Sequence, residues 1–161
     1  MTTASRQGDL ALLNDPIAQQ LLHSNNPARL AYLWHDGTPR VVPIWFHWDG
    51  KAIVVAGPPD APKIEAIRTQ PQVALTIDDA SSWPYRVLSI RGTAEVDIVD
   101  GVAPEYDAAA RRYFGEEQGS NWVQMIDQIM AQTGRVRVHP TWVGILDFET
   151  RFPEAVARRM S

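Results

Sequence analysis

The sequence of 161 residues contains no cysteine, which excludes disulfide bonds, zinc–thiolate sites and thiol catalysis. It also lacks any apolar run near the roughly 18 residues that a membrane span requires, so we expect no membrane partner. The net charge is −4, which argues against a nucleic-acid partner because such surfaces are basic. The first residues lack the charged-then-apolar pattern of a secretion signal, and we therefore expect a cytoplasmic protein.

Several motifs of catalytic and metal sites are also absent. The chain has no G-x-S-x-G nucleophile elbow, no P-loop and no dinucleotide fingerprint. Its four histidines lack the spacing of a helical metal pair, and no acidic cluster accompanies them; they are His23, His35, His47 and His139. We predict no metal site, although His35 and His47 fall on neighbouring predicted strands and could approach each other.

The stretch 38–78 carries the strongest structural signals that are present. Residues 41–48 are nearly all β-branched, aromatic or otherwise apolar, which predicts a strand buried on both faces. Asp49-Gly50 predicts a hairpin turn in which both residues have positive φ, with the second strand at 53–55. Pro43 cannot donate a ladder hydrogen bond, so that point of the strand should face an edge, a bulge or a ligand.

A short helix with a lysine in its first turn follows the hairpin. Pro62 can be the first helical residue and Pro71 stops the helix, which should therefore be about two turns long. Lys63 lies where the helix dipole disfavours a cation, and Ala61 at the cap position has no side-chain oxygen for the free amides. Free amides beside an ammonium group make a candidate anion site. A solvated lysine at a poorly capped helix end is the alternative.

The other segments predict one α+β domain over residues 1–161. Asp15-Pro16 predicts the start of a first helix, and alternation at 30–35 predicts a first strand. The alternating run 87–98 predicts a long strand with one solvent-exposed face and a bend or bulge at Gly92. The remaining predicted elements are a helix at 104–114, a helix capped by Ser120 with Val123, Ile126, Ile129 and Met130 inside, a strand from Val136 that Pro140 interrupts, and a last strand at 142–148. Residues 1–8 and 151–161 are expected to be mobile.

Four pieces of the chain resemble the pyridoxamine 5'-phosphate oxidase-like split-barrel family, which includes flavin- and deazaflavin-dependent oxidoreductases. They are PRVVPIWFHWDG, the lysine of APKIEAIRTQPQVALTIDD, YRVLSIRGTAEV and RVRVHPTWVGILDF, and together they cover roughly residues 27–148. The resemblance implies a mainly β fold with flanking helices, built as a six-stranded antiparallel split β-barrel of the FMN-binding-protein type. It also implies a homodimer with the cofactor in a groove between the two protomers.

The resemblance further implies an oxidoreductase that transfers hydride between a cofactor and a small planar organic substrate. The expected cofactor is the deazaflavin F420, with FMN as the alternative, because VVPIWF and RGTAEV are similar to actinobacterial members. Lys63 would bind the phosphate, and the family implies no general acid or base. Carried over by position, the cofactor-binding residues are Arg40, Val41, Val42, Pro43, Ala56, Gly57, Lys63 and Arg86.

The chain departs from the family pattern at two places. Family members often have a Ser or Thr and an Arg just before the lysine, where this chain has Asp60, Ala61 and Pro62, so two phosphate ligands are missing and an acidic group is added. The Arg- and Trp-rich ending of true pyridoxamine-phosphate oxidases is absent, which argues against vitamin B6 oxidation. A non-catalytic binding protein for a flavin or related planar ligand is therefore the alternative. The six tryptophans fit either a core or a planar-ring site.

Overall fold

The computed structural model describes residues 6–160 and shows a seven-stranded antiparallel sheet with helices on its flanks. The strands are β1 (Ala28–Leu33), β2 (Pro39–Ile44), β3 (His47–Trp48), β4 (Ile53–Gly57), β5 (Gln72–Asp79), β6 (Arg86–Asp100) and β7 (Gln132–Leu146). The helices are α1 (Pro16–Leu22), α2 (Pro62–Thr69), α3 (Pro104–Phe114), α4 (Glu116–Ile129) and α5 (Glu154–Met160), and a short 3-10 helix, Leu10–Asn14, precedes α1. The mainly β architecture with flanking helices is therefore confirmed.

The sheet has seven strands rather than the expected six, because the predicted strand 41–48 is divided in two. The strand order is β2-β1-β5-β6-β7-β4-β3, so the two halves of that segment form opposite edges of the sheet. Only Trp45 and Phe46 join the two edges, and consecutive Cα atoms lie about 3.8 Å apart, so the edges approach within about 11 Å at this point. The sheet is consequently curled, but no hydrogen-bonded ladder joins β2 to β3 in residues 6–160, and the barrel is not closed.

The division of this segment also changes its burial. Phe46 is fully buried at the break, whereas Val41 on β2 is 65% exposed. The prediction of a strand buried on both faces is therefore wrong for β2, which is an edge strand that pairs only with β1. An edge position accommodates Pro43, as its missing amide hydrogen indicated.

The hairpin and the short helix of the central stretch are where the sequence places them. Strands β3 and β4 pair across the Asp49-Gly50 turn, although only Gly50 has a positive φ, of 92°. Asp49 instead accepts hydrogen bonds from the amides of Lys51 and Ala52, at 2.9 and 2.7 Å, which stabilises a longer loop. Helix α2 runs from Pro62 for two turns, and Ala61 at its cap makes no side-chain hydrogen bond.

Strands β6 and β7 form the longest ladder of the sheet, with 15 residues each. The predicted irregularity at Gly92 is confirmed, since Gly92 pairs with Pro140 while Arg91 pairs with Trp142, which leaves Thr141 as an extra residue. A Cβ atom at Gly92 would lie 2.5 Å from the carbonyl oxygen of His139, so this bulge requires glycine. The expected interruption at Pro140 does not occur, because the bulge takes up the missing hydrogen bond and β7 continues.

Helices α3 and α4 are joined at Gly115, which has a φ of 84°. Helix α3 has the predicted bounds, but α4 begins four residues before the predicted cap Ser120. Gly115 allows this earlier start because a left-handed residue can reverse the chain directly. Ile126 faces inward as predicted, whereas Ile129 is 70% exposed, so the predicted inner face of this helix is only partly correct.

The two ends of the described chain contact the sheet. The amide of Gly8 donates to the carbonyl of Val143 at 2.7 Å, and Arg151 forms an ion pair with Asp15 at 2.6 Å. Helix α5 buries none of its residues. The expected mobility at 1–8 and 151–161 stays a prediction, and residues 1–5 and 161 lie outside the described residues. In the described part, none of the helices is long and apolar enough to cross a membrane.

Candidate cofactor-binding groove

An open groove of about 680 Å³ lies where β2, β4 and the first turn of α2 meet. Its lining residues are Pro27, Val42, Pro43, Ile44, Trp45, Ala56, Gly57, Pro58, Lys63 and Tyr106. Five of the eight residues predicted to bind a cofactor are in this set: Val42, Pro43, Ala56, Gly57 and Lys63. The fold therefore brings together residues that the sequence separates over three elements.

The other three predicted residues do not line the groove. Val41 follows the strand alternation to the side opposite Val42 and is largely exposed. The Arg40 guanidinium donates to Thr38 Oγ1 at 2.7 Å, and that of Arg86 donates to Gln20 Oε1 on α1 at 2.5 Å. Strand periodicity accounts for Val41, while the guanidinium groups of Arg40 and Arg86 are held outside the groove by Thr38 and by Gln20.

Lys63 is the one cationic side chain that lines this groove in the described chain. It is half-buried, no charged partner acts on it, and burial lowers the pKa of its ammonium group. Its backbone amide has no acceptor in residues 6–160, while the next amide, of Ile64, donates to Ala61 O at 2.9 Å. An ammonium group and a free amide at a helix start are therefore both available to an anion.

Gly57 lies directly in front of the lysine. A Cβ atom built on Gly57 would be 3.8 Å from Lys63 Nζ, so any larger side chain would occupy the space next to the ammonium group. Its place at the end of β4 gives it the extended backbone of a strand, so conformational freedom does not explain this glycine. The short side chain instead leaves room for a group that contacts Lys63.

Asp60, which the sequence places near the anion site, does not line the groove. It contributes to a separate depression with Pro59, Ile129 and Gln132. The lining of the groove, taken over residues 6–160, contains no carboxylate. Electrostatic repulsion of an anion by Asp60 is correspondingly weaker than a position inside the groove would give.

An aromatic wall closes one side of the groove. Trp45 contacts four rings from α3 and α4, with centroid distances of 4.7–6.3 Å; they are Tyr106, Tyr113, Phe114 and Trp122. Trp45 thus belongs both to a packed cluster and to the groove surface, and its role in a planar-ring site stays a prediction. Tyr106 was not among the predicted site residues, and its spacing of seven from Tyr113 on one helix is the signal that could have found it.

An ion-pair network holds the first turn of α3, and with it Tyr106, against the sheet. The Glu105 carboxylate accepts from Arg137 at 2.6 Å and from Arg135 at 3.3 Å. Arg135 also binds Asp97 at 2.6 Å, and this hydrogen bond raises the pKa of the Arg135 guanidinium. The network fixes a helix that sequence reasoning could not orient, because its partners are about 30 residues apart.

The residues present fit an anionic planar cofactor. Lys63 and its amide could hold a phosphate, and the apolar floor of Val42, Pro43 and Ile44 with Trp45 could cover a ring. No group of three or more metal-ligating His, Cys, Asp or Glu side chains occurs in residues 6–160.

Several solved structures have a fold similar to that of this chain. The structure is similar to that of an F420 reductase, with 27% identity, a TM-score of 0.57, and coverage of 80% of this chain and 95% of the other. It is also similar to a conserved hypothetical protein from Mycobacterium tuberculosis, with 20% identity, a TM-score of 0.69, and coverage of 92% and 91%. The heme storage protein HutZ from Vibrio cholerae has 16% identity, a TM-score of 0.59, and coverage of 83% and 93%.

No curated protein matches the chain. Residues 15–146, most of the sequence, match the profile of the family described as Pyridoxamine 5'-phosphate oxidase. The chain therefore belongs to the pyridoxamine 5'-phosphate oxidase-like split-barrel family.

Proposed function

We propose that this protein is an oxidoreductase that binds the deazaflavin F420, or alternatively FMN, and transfers hydride between that cofactor and a small planar organic substrate. The observation that carries the proposal is the unpaired, half-buried Lys63 with its free amide, at one end of a groove with apolar and aromatic walls. The similarity to an F420 reductase over 80% of this chain supports the choice of cofactor.

Each part of the groove has a physical role in this proposal. Lys63 binds the phosphate as a charge-assisted hydrogen-bond donor, and Gly57 lets the phosphate approach. Val42, Pro43 and Ile44 cover one face of the ring with apolar surface. The bound cofactor supplies the hydride chemistry, while the protein supplies position and polarity.

The test of cofactor binding is a titration of the apo-protein with F420 and with FMN at moderate salt. F420 carries an anionic tail beyond its first phosphate, which an open groove without carboxylates accommodates. Tighter binding of F420 is the expected result. Tighter binding of FMN would refute F420 as the cofactor and favour the FMN alternative. If neither binds below about 100 μM, which is near −5.5 kcal/mol, the enzyme proposal is refuted.

The test of catalysis uses the absorption band of the loaded protein. We expect the band to bleach when the cofactor is reduced and to recover when a planar hydride acceptor such as menadione is added. Recovery at the rate of the free reduced cofactor would show that the protein binds the cofactor without catalysing transfer.

A non-catalytic binding protein is the second candidate. The structural similarity to the heme storage protein HutZ and the absence of Ser or Thr and Arg before Lys63 favour it. Tyr106 lines the groove and is of a residue type that ligates heme iron. A heme titration therefore discriminates: tight binding with a tyrosinate-type spectrum, together with no binding of F420 or FMN, would establish the binder.

We also propose that the protein acts as a homodimer. Val41 and Trp83 are 65% and 74% exposed, and exposed apolar residues of this size are common at interfaces. Sedimentation at micromolar concentration should give twice the 18.0 kDa mass of the chain. A monomer that binds cofactor tightly would refute the dimer.

A further inference from the structure

The hydroxyl group of Tyr106 has a defined donor direction. The indole Nε1 of Trp122 donates a hydrogen bond to the Tyr106 hydroxyl oxygen at 2.9 Å. An indole N–H is a donor only, so the phenol oxygen is the acceptor in this pair. The proton of Tyr106 is therefore not used by Trp122, and because the side chain is only half-buried this proton is open to solvent or to a ligand in the groove.

Within residues 6–160 the structure gives that proton no acceptor, and Tyr106 lines the groove. Tyr113, one tyrosine further along α3, is in the opposite state, since its hydroxyl donates to the carbonyl of Asn26 at 3.0 Å. Both tyrosines pack against Trp45, but only Tyr106 is in the groove lining. Tyr106 therefore has an unused hydroxyl donor at the surface of the groove, whereas the hydroxyl donor of Tyr113 is already bonded and lies outside the groove lining.

The other polar side chain of the groove lining is also a donor. Lys63 offers an ammonium group, and among the described residues no carboxylate lines the groove. A ligand that satisfies this surface must bring acceptors to both positions, a phosphate at the lysine and a second acceptor at the tyrosine. Trp45, whose ring centroid lies 5.9 Å from that of Tyr106, lines the same wall, so the second acceptor belongs to the planar part of the ligand.

We propose that Tyr106 donates a hydrogen bond to a carbonyl oxygen on the ring of the bound cofactor, and that Trp122 holds the hydroxyl in this donor orientation. The inference rests on the proposed function, because it requires a planar cofactor in the groove. The ligand class is a planar heterocycle with exocyclic carbonyl oxygens, which flavins and deazaflavins share. Tyr106 then selects for ring carbonyls, while Lys63 selects for the phosphate.

The experiment separates the ring from the phosphate. Dissociation constants are measured for FMN and for riboflavin, which lacks the phosphate, and for F420 and its phosphate-free deazaflavin fragment. Tyr106→Phe should weaken both members of a pair by the same factor, roughly three- to tenfold for one neutral hydrogen bond. Lys63→Met should weaken only the member that carries the phosphate.

Two further variants make the test specific to the hydroxyl proton. Tyr85→Phe is the control for the loss of a tyrosine hydroxyl, since Tyr85 is outside the groove lining and its hydroxyl donates to Asp78, so this variant should leave every constant unchanged. Trp122→Phe should weaken the same ligands as Tyr106→Phe, less strongly, and the two effects should not add. The absorption band of the bound ring should shift between wild type and Tyr106→Phe, which a purely structural role for the hydroxyl would not cause.

The outcomes distinguish this inference from the proposed function. If the wild type binds the cofactors, and Tyr106→Phe changes neither the constants nor the band, the inference is refuted and the proposed function stands. A loss for the phosphate-bearing ligand alone would also refute it, because the hydroxyl would then contact the phosphate. If Tyr106→Phe leaves the cofactor dissociation constants unchanged but raises the KM for menadione, the hydroxyl contacts the substrate and the inference is refuted. If the wild type binds none of the ligands, the proposed function and the inference both fail.

Discussion

Replacing Lys63 by methionine tests the central element of the candidate site. Methionine keeps the length and apolar stem of the side chain but removes the charge. The ammonium group is half-buried and has no charged partner within residues 6–160, so a bound phosphate would be its main electrostatic contact. A hydrogen bond to a charged group contributes roughly 1.5–3 kcal/mol, and the affinity for FMN or F420 should therefore fall roughly ten- to 150-fold.

Although Lys63→Met should bind cofactor less tightly, its folded state should be at least as stable as that of the wild type. Burial lowers the pKa of Lys63 in the folded protein, so the unfolded chain binds more protons in the window between that pKa and the ordinary lysine value. Wild-type stability accordingly rises with pH in this window, and below it the buried charge costs stability. Lys63→Met removes the cost, and its melting temperature at neutral pH should be equal to or higher than that of the wild type.

Cofactor affinity should also depend on pH through this residue. A bound phosphate stabilises the ammonium form and raises the Lys63 pKa again, so binding takes up protons and weakens as pH rises towards the pKa of the free protein. Titrations with FMN above about pH 7 keep its phosphate, with a second pKa of about 6, in its dianionic form. The wild-type affinity should fall as the pH rises towards the ordinary lysine value of about 10.4, and it should fall earlier than an unperturbed lysine would give because burial lowers the Lys63 pKa. That of Lys63→Met should not show this fall.

The control for these measurements is Lys51→Met. Lys51 is the only other lysine of the chain and is exposed in the β3–β4 loop, so the two variants have the same net charge. Lys51→Met should bind cofactor like the wild type. If Lys63→Met binds within twofold of the wild type, or keeps the wild-type pH dependence, Lys63 does not bind the phosphate.

Two other substitutions give direct expectations. Gly57→Val should keep the fold, because β4 is extended at this position, but should abolish cofactor binding by filling the space in front of Lys63; isothermal titration measures this, and unchanged affinity would contradict it. Asp147→Ala should lower stability by about 2–4 kcal/mol, since this buried carboxylate accepts from the amides of residues 149–151 and from the Thr150 hydroxyl. Although burial opposes them, these bonds lower the Asp147 pKa. The loss should therefore be full above the unfolded pKa of about 4 and should shrink on acidification. Urea unfolding at several pH values measures it, and a pH-independent loss would contradict the argument.

Local features of the fold were predictable because neighbouring residues determine them. Asp15 caps α1 through its side chain, as a cap-then-proline order indicates. The prolines around Lys63 set the start and length of α2, and Gly92 marks the bulge in β6. In each case the signal lies within a few residues of the feature, so the sequence pattern is sufficient.

The candidate site was predictable only in part. The resemblance identified the segments that form the groove, but it included Val41, which alternates to the side opposite Val42, and Arg40, whose guanidinium donates to Thr38. Arg86 was included for its position in the chain, and the structure places its guanidinium beside Gln20 on α1. Family position therefore located the strand, while side-chain direction decided which residues reach the groove.

The sequence by itself determined the strand and helix types, the turn residues, the absence of cysteine chemistry and the one lysine at a helix start. Only the tertiary structure divided residues 41–48 between two sheet edges and brought Tyr106 and Trp122 from a distant helix pair to Trp45. It also oriented the Tyr106 hydroxyl. These features depend on contacts between separate elements, from 16 positions apart for Tyr106 and Trp122 to about 60 or more for Trp45 and the two helices. Their pairing is set by the closure of the sheet and by the packing of whole elements, and no local pattern encodes that geometry.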